Sequence, residues 1–154
     1  MTSDEVARKP ILPPAYFLLA LVATILVARL SPGWSVASLV FGVVGGGLLV
    51  AGLAINLVAD KAFKSSGTTV KPFEESSALV TSGIFRFSRN PMYVGIVLML
   101  VGVSLLNGSI IGVIPALLLA VFLDRRFIRV EEKMLAEKFG DAWQTYAAQT
   151  RRWL

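Results

Sequence analysis

Residues 91–123 read "PMYVGIVLMLVGVSLLNGSIIGVIPALLLAVFL", an apolar run with no charged residue and with Asn107, Gly108 and Ser109 at its centre. Two readings compete. The run is one long tilted helix, or it is two short helices, 91–106 and 110–124, that turn back at Asn-Gly-Ser. Each short helix would measure roughly 22 Å at 1.5 Å per residue, less than a hydrocarbon core of about 30 Å. Charge chooses between them, because Lys and Arg accumulate on the cytoplasmic side of a membrane protein. Lys61, Lys64, Lys71, Arg86 and Arg89 precede the run, and Arg125, Arg126, Arg129, Lys133, Lys138, Arg151 and Arg152 follow it. A hairpin puts both groups on one face, whereas a single crossing separates them. The hairpin is therefore predicted.

Working outward, the first apolar stretch covers about 11–29, with Pro13 and Pro14 in its first turn, and is near the minimum length for a span. A short turn through Ser31, Pro32 and Gly33 leads to a second stretch, 35–59, uncharged and glycine-rich. Gly42 and Gly46 make a small-xxx-small pair, with Gly45, Gly47 and Gly52 nearby, which suits close helix packing. A ligand pocket is the other reading of these glycines. Arg8 and Lys9 precede the first stretch. Four crossings thus gather the basic residues on one face and leave Arg29 on the other. The expected fold is an all-α membrane protein with four transmembrane helices, the last two a short helical hairpin, followed by a C-terminal cytoplasmic helical segment. One membrane domain is expected over 1–154, with cytoplasmic segments 60–90 and 125–154 and both termini cytoplasmic.

Composition agrees. The 154 residues are 55% hydrophobic and 16% charged, against about 25% charged in soluble domains, and the mean hydropathy is +0.71. The absence of Cys excludes disulfides and thiol catalysis. The absence of His removes the usual general base and the commonest metal ligand, so no metal is expected. The net charge of +5 sits at the ends of apolar runs, which favours a lipid surface over nucleic acid. No small-residue cleavage site follows the first apolar stretch, so no cleavable signal peptide is expected.

The segment before the hairpin, "SGIFRFSRNPMYVG" (82–95), carries chemistry. Asn90 suits an N-cap, and Pro91 suits the first helical position. The first amides of that helix and the positive end of its dipole then form a site for a carboxylate or for acceptor atoms of a nucleotide. The plainer reading is a capped membrane helix whose Arg86 and Arg89 meet lipid phosphates and whose Tyr93 joins the aromatic belt. After the hairpin, Phe127, Val130, Met134, Leu135 and Phe139 recur at helical spacing. A break is expected near Gly140, then an amphipathic turn with Trp143, Tyr146 and Trp153 at the membrane interface. On a regular helix Arg125, Arg129 and Glu132 share one face, and Glu131 lies about 100° round from Glu132. Topology does not require acids here. One of them could hold an ammonium group beside an arginine that holds an anion; the plainer reading is a solvated salt bridge.

"LVTSGIFRFSRNPMYVG" followed by "RVEEKMLAEKFGDAWQTYAAQTRRWL" resembles the isoprenylcysteine carboxyl methyltransferase and phospholipid methyltransferase group of integral membrane enzymes. That group shows a Leu-Val-x-x-Gly-x-Tyr segment, an Arg-His-Pro-x-Tyr-x-Gly motif, and a Glu-Glu pair ahead of Leu and Phe-Gly. The likeness covers about 60–154, and the first two helices match in hydropathy alone. It implies S-adenosyl-L-methionine as methyl donor, leaving S-adenosyl-L-homocysteine. It implies a cofactor set of Leu79, Val80, Arg89, Asn90, Pro91, Met92, Tyr93, Glu131 and Glu132. Glu131 would hold the amino group, with Glu132 in support. The catalytic set would be Arg129, Glu132 and Tyr93, with Arg125 or Arg126 as alternatives to Arg129 facing the acceptor. Asn90 stands where the group commonly has His, and Phe85 where it has Tyr.

Methyl transfer from a sulfonium is an in-line displacement, so alignment and water exclusion are the protein's main contributions. A carboxylate acceptor needs no base, whereas an amine must lose a proton. Without His, Glu132 is the best base candidate, and the chain leans towards carboxyl O-methylation of an isoprenoid-type acid. The expected acceptor is a lipophilic small molecule or lipid that enters sideways from the bilayer. N-methylation of a phospholipid or other amine is the alternative within the enzyme class. A small four-helix transporter or scaffold is the alternative outside it, although no ionisable residue lies at membrane depth.

Overall fold

The computed structural model describes residues 13–31, 39–67 and 78–154. Expectations for residues 1–12, 32–38 and 68–77, among them the charges of Arg8, Lys9 and Lys71 and the turn at Pro32 and Gly33, lie outside the described residues. The described chain is all-helical: α1 (Pro13–Leu30), α2 (Leu39–Ser65), α3 (Pro91–Leu106), α4 (Ile114–Leu123) and α5 (Arg129–Gln149). Short 3₁₀ turns at Gly83–Arg86 and Ile111–Val113 precede α3 and α4, and a π-helical turn, Asp124–Ile128, joins α4 to α5.

The run 91–123 is a hairpin. At its bend the Gly108 backbone has φ +68°, a conformation that glycine adopts without a Cβ clash. Ser104 and Ser109 are fully buried there. The Ser104 hydroxyl donates to the Ser109 carbonyl, and the Gly112 amide donates to Ser109 Oγ at 3.1 Å. These bonds satisfy backbone groups that an apolar surrounding would otherwise leave unpaired.

α2 packs chiefly on α3, and glycine sets the approach. In α2 the buried residues are Gly45, Gly52 and Ala59, a stripe at seven-residue spacing. A Cβ on Gly45 would lie 2.8 Å from the Gly102 carbonyl oxygen, and one on Gly52 would lie 2.5 Å from that of Gly95. The helices are therefore antiparallel, backbone against backbone. Of the glycines expected to serve close helix packing, Gly45 and Gly52 make this contact, whereas Gly42, Gly46 and Gly47 face open space. The contact register is i, i+7, because each helix offers one narrow stripe to a straight neighbour. α2 also runs six residues beyond the expected span end at 59, to Ser65. A 2.6 Å ion pair between Lys64 and Asp60 closes this polar last turn.

α1 lies against α4. Near its start Tyr16 meets Phe122 at 4.7 Å between ring centroids, and near its end Ala28 meets Gly112. This pair too is antiparallel. The start of α1, the end of α2, the start of α3 and the end of α4 consequently share one end of the bundle, and Arg29 lies towards the other. Side chains that look outward are apolar: Leu18 and Leu19 on α1, Val40 and Val43 on α2, Leu117 and Leu118 on α4 are all exposed. An apolar surface this continuous suits lipid rather than water. α1 and α2 are each long and apolar enough to cross a membrane.

The glycine stripe yields a direct expectation. Gly52→Leu should overpack the α2–α3 contact and lower unfolding stability by about 1–3 kcal/mol. Gly46→Leu, with open space around it, should stay within roughly 0.5 kcal/mol of the parent in the same detergent melt.

Candidate functional site

Two segments that are distant in sequence meet at the polar end of the bundle. The first is the approach to α3. Gly83, with φ +62°, starts the 3₁₀ turn, and Phe85 packs with Ala59 and Val80 against the last turns of α2. Pro91 opens α3 at the first helical position. Asn90 stands at the cap position, but its side chain does not cap. Its Nδ2 instead donates to the Arg152 carbonyl at 3.1 Å. The amides of Tyr93 and Val94 both turn back onto the Asn90 carbonyl. Pro91 has no amide hydrogen, so of the first four positions Met92 keeps an N–H without a backbone acceptor among the described residues. The helix start therefore offers fewer free amides than the sequence suggests.

The second segment is the α4–α5 junction. Its π-helical turn places Arg129 opposite Asp124 at i,i+5, with Nε 2.8 Å from Oδ2. A regular helix would have put Arg125, Arg129 and Glu132 on one face. The extra residue in the turn resets that register, and such turns occur often at functional sites. Beyond it, Gly140 takes φ +50° and breaks α5. The second half of α5 then folds back on the approach to α3. Tyr146 donates its hydroxyl hydrogen to the Phe85 carbonyl at 2.7 Å, and burial pushes that hydroxyl's pKa up to about 12.

The two segments join through two acids. Tyr93 donates from its hydroxyl to Glu131 Oε1 at 2.8 Å. Arg89 Nε lies 3.1 Å from Glu132 Oε1, off the line of a hydrogen bond, so this contact is charge attraction without a shared proton. Glu132 also accepts from Arg152, at 3.0 Å from Nε and 2.6 Å from the terminal nitrogen. Arg152 in turn reaches Asp124 at 3.4 Å. Charges thus alternate along Arg129, Asp124, Arg152, Glu132 and Arg89. The side chains of Arg89 and Glu132 are only 14% and 13% exposed, so their pairing is little screened by water.

Glu131 differs from its neighbour. Among the described residues its partner is a hydroxyl, and no cation pairs with it. Burial pushes its carboxyl above the usual range; the Tyr93 hydrogen bond opposes this and the adjacent Glu132 charge adds to it. A group whose folded pKa is raised supports the fold most at acid pH, and that support fades as pH rises through the folded pKa. A cation bound beside Glu131 would therefore stabilise its charged form.

The sequence-expected residues divide accordingly. Arg89, Asn90, Pro91, Tyr93, Glu131 and Glu132 come together. Val80 and Met92 lie beside them in the apolar cluster around Phe85, and Leu79 is half-buried next to Val80. Arg129 is 61% exposed and turns to Asp124, so its contact is with the end of α4 and not with the acid pair. Arg152, Trp143, Tyr146 and Ser88 were not singled out as site residues. Arg89 lies over the Trp143 ring, 5.7 Å from its centroid, and donates to the Ala147 carbonyl at 3.0 Å. The aromatic spacing in 143–146 was the available signal, but it reads equally as an interface belt.

Glu132→Gln should destabilise the protein by about 3–5 kcal/mol, because it leaves the buried Arg89 charge without an acid partner. Glu137→Gln, which breaks an exposed i,i+4 pair with Lys133, should change stability by about 0–1 kcal/mol. Denaturant unfolding in mixed micelles distinguishes the two.

Comparison with known proteins bears on this geometry. A family model described as phospholipid methyltransferase matches residues 40–142. Protein-S-isoprenylcysteine O-methyltransferase of Schizosaccharomyces pombe is 36% identical over 69 residues, 44% of this chain and 29% of that protein. A solved structure of a eukaryotic intramembrane Ras methyltransferase, isoprenylcysteine carboxyl methyltransferase, superposes with a TM-score of 0.75 at 22% identity. That match covers 99% of this chain and 56% of the other, so the chain spans little more than half of the solved protein and under a third of the curated one.

Proposed function

The chain belongs to the phospholipid methyltransferase family, and on that premise we propose that it is an integral membrane methyltransferase that uses S-adenosyl-L-methionine to methylate the carboxylate of a lipophilic, isoprenoid-type acid. The observation that carries this reading is the Tyr93–Glu131 hydrogen bond, which holds a half-buried carboxylate, paired with no cation among the described residues, at the entrance to α3. The donor set fits the cofactor: a carboxylate for its ammonium group, a Met92 amide for an acceptor atom, and apolar walls from Leu79, Val80 and Met92. When bound, the cofactor supplies a methyl group on a positively charged sulfur.

The chain's own residues divide the remaining tasks. Tyr93 orients Glu131, and Glu131 holds the ammonium. Asn90 and Pro91 fix the backbone that presents Met92. Glu132 pairs with Arg89 by charge and accepts two hydrogen bonds from Arg152, and so braces the site. The Glu132 carboxylate faces two guanidinium groups rather than open space, which favours a carboxylate acceptor, one that needs no base, over an amine. An arginine of the α4–α5 junction, Arg129 or its neighbours Arg125 and Arg126, places the acceptor's carboxylate. The outward apolar surface of the bundle admits the acceptor from the bilayer, while the cofactor arrives from the aqueous side.

The antiparallel packing supports four crossings within one membrane domain, with the site and both termini on the cytoplasmic side. Among the described residues Lys61, Lys64, Arg86 and Arg89 and the arginines after Leu123 all lie at the site end, and Arg29 at the other. That asymmetry is the pattern of a cytoplasmic face.

Incubating the purified chain with lipid extract and isotope-labelled S-adenosyl-L-methionine should yield a lipophilic product that gains the label. Mild base should release that label as methanol. Label that survives base would instead indicate N-methylation, and no labelled product would defeat the enzymatic reading. In calorimetry, Glu131→Gln should weaken S-adenosyl-L-homocysteine binding by about 1–3 kcal/mol. The parent's affinity should fall on acidification, since a proton on Glu131 removes the charge that holds the ammonium, and the variant's pH profile should be flatter.

A further inference from the structure

The segment that follows α5 is stitched to the approach of α3 by several independent bonds. The Arg89 amide donates to the Arg151 carbonyl at 2.9 Å. The Arg152 carbonyl accepts from Asn90 Nδ2 at 3.1 Å and from Ser88 Oγ at 3.4 Å. Ser88 is itself buried and accepts from the Asn90 amide at 3.0 Å. The Arg152 side chain then spans from this backbone junction to both Glu132 and Asp124. One residue therefore touches the end of α4, the start of α5 and the turn that presents Pro91. Its hydrogen bonds to Glu132 also hold the guanidinium more firmly protonated than usual.

We propose that Arg152 is a positioning residue: it fixes the α3 entrance and the acid pair in one arrangement and neutralises Glu132, so that Glu131 alone presents an uncompensated negative charge to a ligand. The proposal rests on the reading of Glu131 as the carboxylate that holds the cofactor's ammonium. Its electrostatic part follows from the groups that face Glu131. From α3 these are the Tyr93 hydroxyl, and from α5 the Glu132 carboxylate. Arg89 and Arg152 act on Glu131 through their contacts with Glu132. Removing the Arg152 charge leaves Glu132 with one cationic partner in place of two. The added negative potential holds a proton on Glu131 more tightly, so the pH at which Glu131 ionises moves upward. A fork that binds Glu132 through two nitrogens is specific to Arg; Lys keeps the charge but not that geometry.

The test is calorimetric titration of the full chain in lipid nanodiscs with S-adenosyl-L-homocysteine across a pH series, alongside helix content and thermal melting. Arg152→Gln should weaken binding at neutral pH by roughly tenfold, the worth of one charge-assisted hydrogen bond. It should also move the midpoint of the affinity–pH curve to higher pH. Arg152→Lys should keep the parent's midpoint and lose part of the affinity, and it serves as the working variant if Arg152→Gln does not fold. Lys133→Gln removes the same charge from an exposed face of α5 and should change neither quantity. A folded Arg152→Gln with the parent's affinity and midpoint would overturn the proposal. So would a variant that melts earlier but binds with an unshifted midpoint, as a merely structural brace would. If Arg152→Lys alone folds, a midpoint shifted as far as loss of charge requires would overturn it too. Failure of the parent to bind would defeat the functional reading together with this one, whereas parent binding insensitive to Arg152 defeats this one alone.

Discussion

A hydroxyl hydrogen of Tyr93 shared with Glu131 ties the first turn of one helix to the first turn of another. The rest of the site is arranged so that this contact can exist. Glu131 and Glu132 are adjacent acids at a poorly hydrated boundary, where two like charges repel. The molecule resolves the conflict unequally. Glu132 receives Arg89 and Arg152, and Glu131 receives a neutral phenol. The result is one acid compensated by two guanidinium groups and one whose partner, among the described residues, is a hydroxyl.

This arrangement depends on features far from the acids. Glycines at positions 45, 52, 95 and 102 let α2 and α3 approach with backbones in contact, which fixes where α3 begins. The π-helical turn at Asp124–Ile128 rotates α5 relative to α4, and the positive φ of Gly140 returns the second half of α5 to the loop before Asn90. Outside, the bundle is apolar. Ions that bind one another at its end are partly shielded from water, so geometry matters more there than on a soluble surface.

Much of the fold was legible in the sequence because hydropathy and charge are long-range signals. The uncharged run broken by Asn107, Gly108 and Ser109 gave the hairpin, Pro91 gave the start of α3, and Gly140 gave the break in α5. Register was less legible. The spacing of Gly42 and Gly46 is a small-residue pattern, yet which glycines face a neighbour depends on the neighbour's own stripe. The site was partly legible, since the motif before α3 and the acid pair do meet. The π-turn was hidden, because it leaves no composition cue, and it moved Arg129 towards Asp124. Arg152 was hidden too: it read as one more basic residue on a cytoplasmic face, while its contacts with Glu132 and Asp124 come from the fold-back that follows the Gly140 break.

An experimental structure of the chain in lipid nanodiscs saturated with S-adenosyl-L-homocysteine tests the central claim most directly. The account predicts the ligand's ammonium within hydrogen-bond distance of Glu131, with Tyr93 still on that carboxylate and Arg152 still on Glu132. Ligand bound away from the junction of α3 and α5, or its ammonium held by a group other than Glu131, would contradict it.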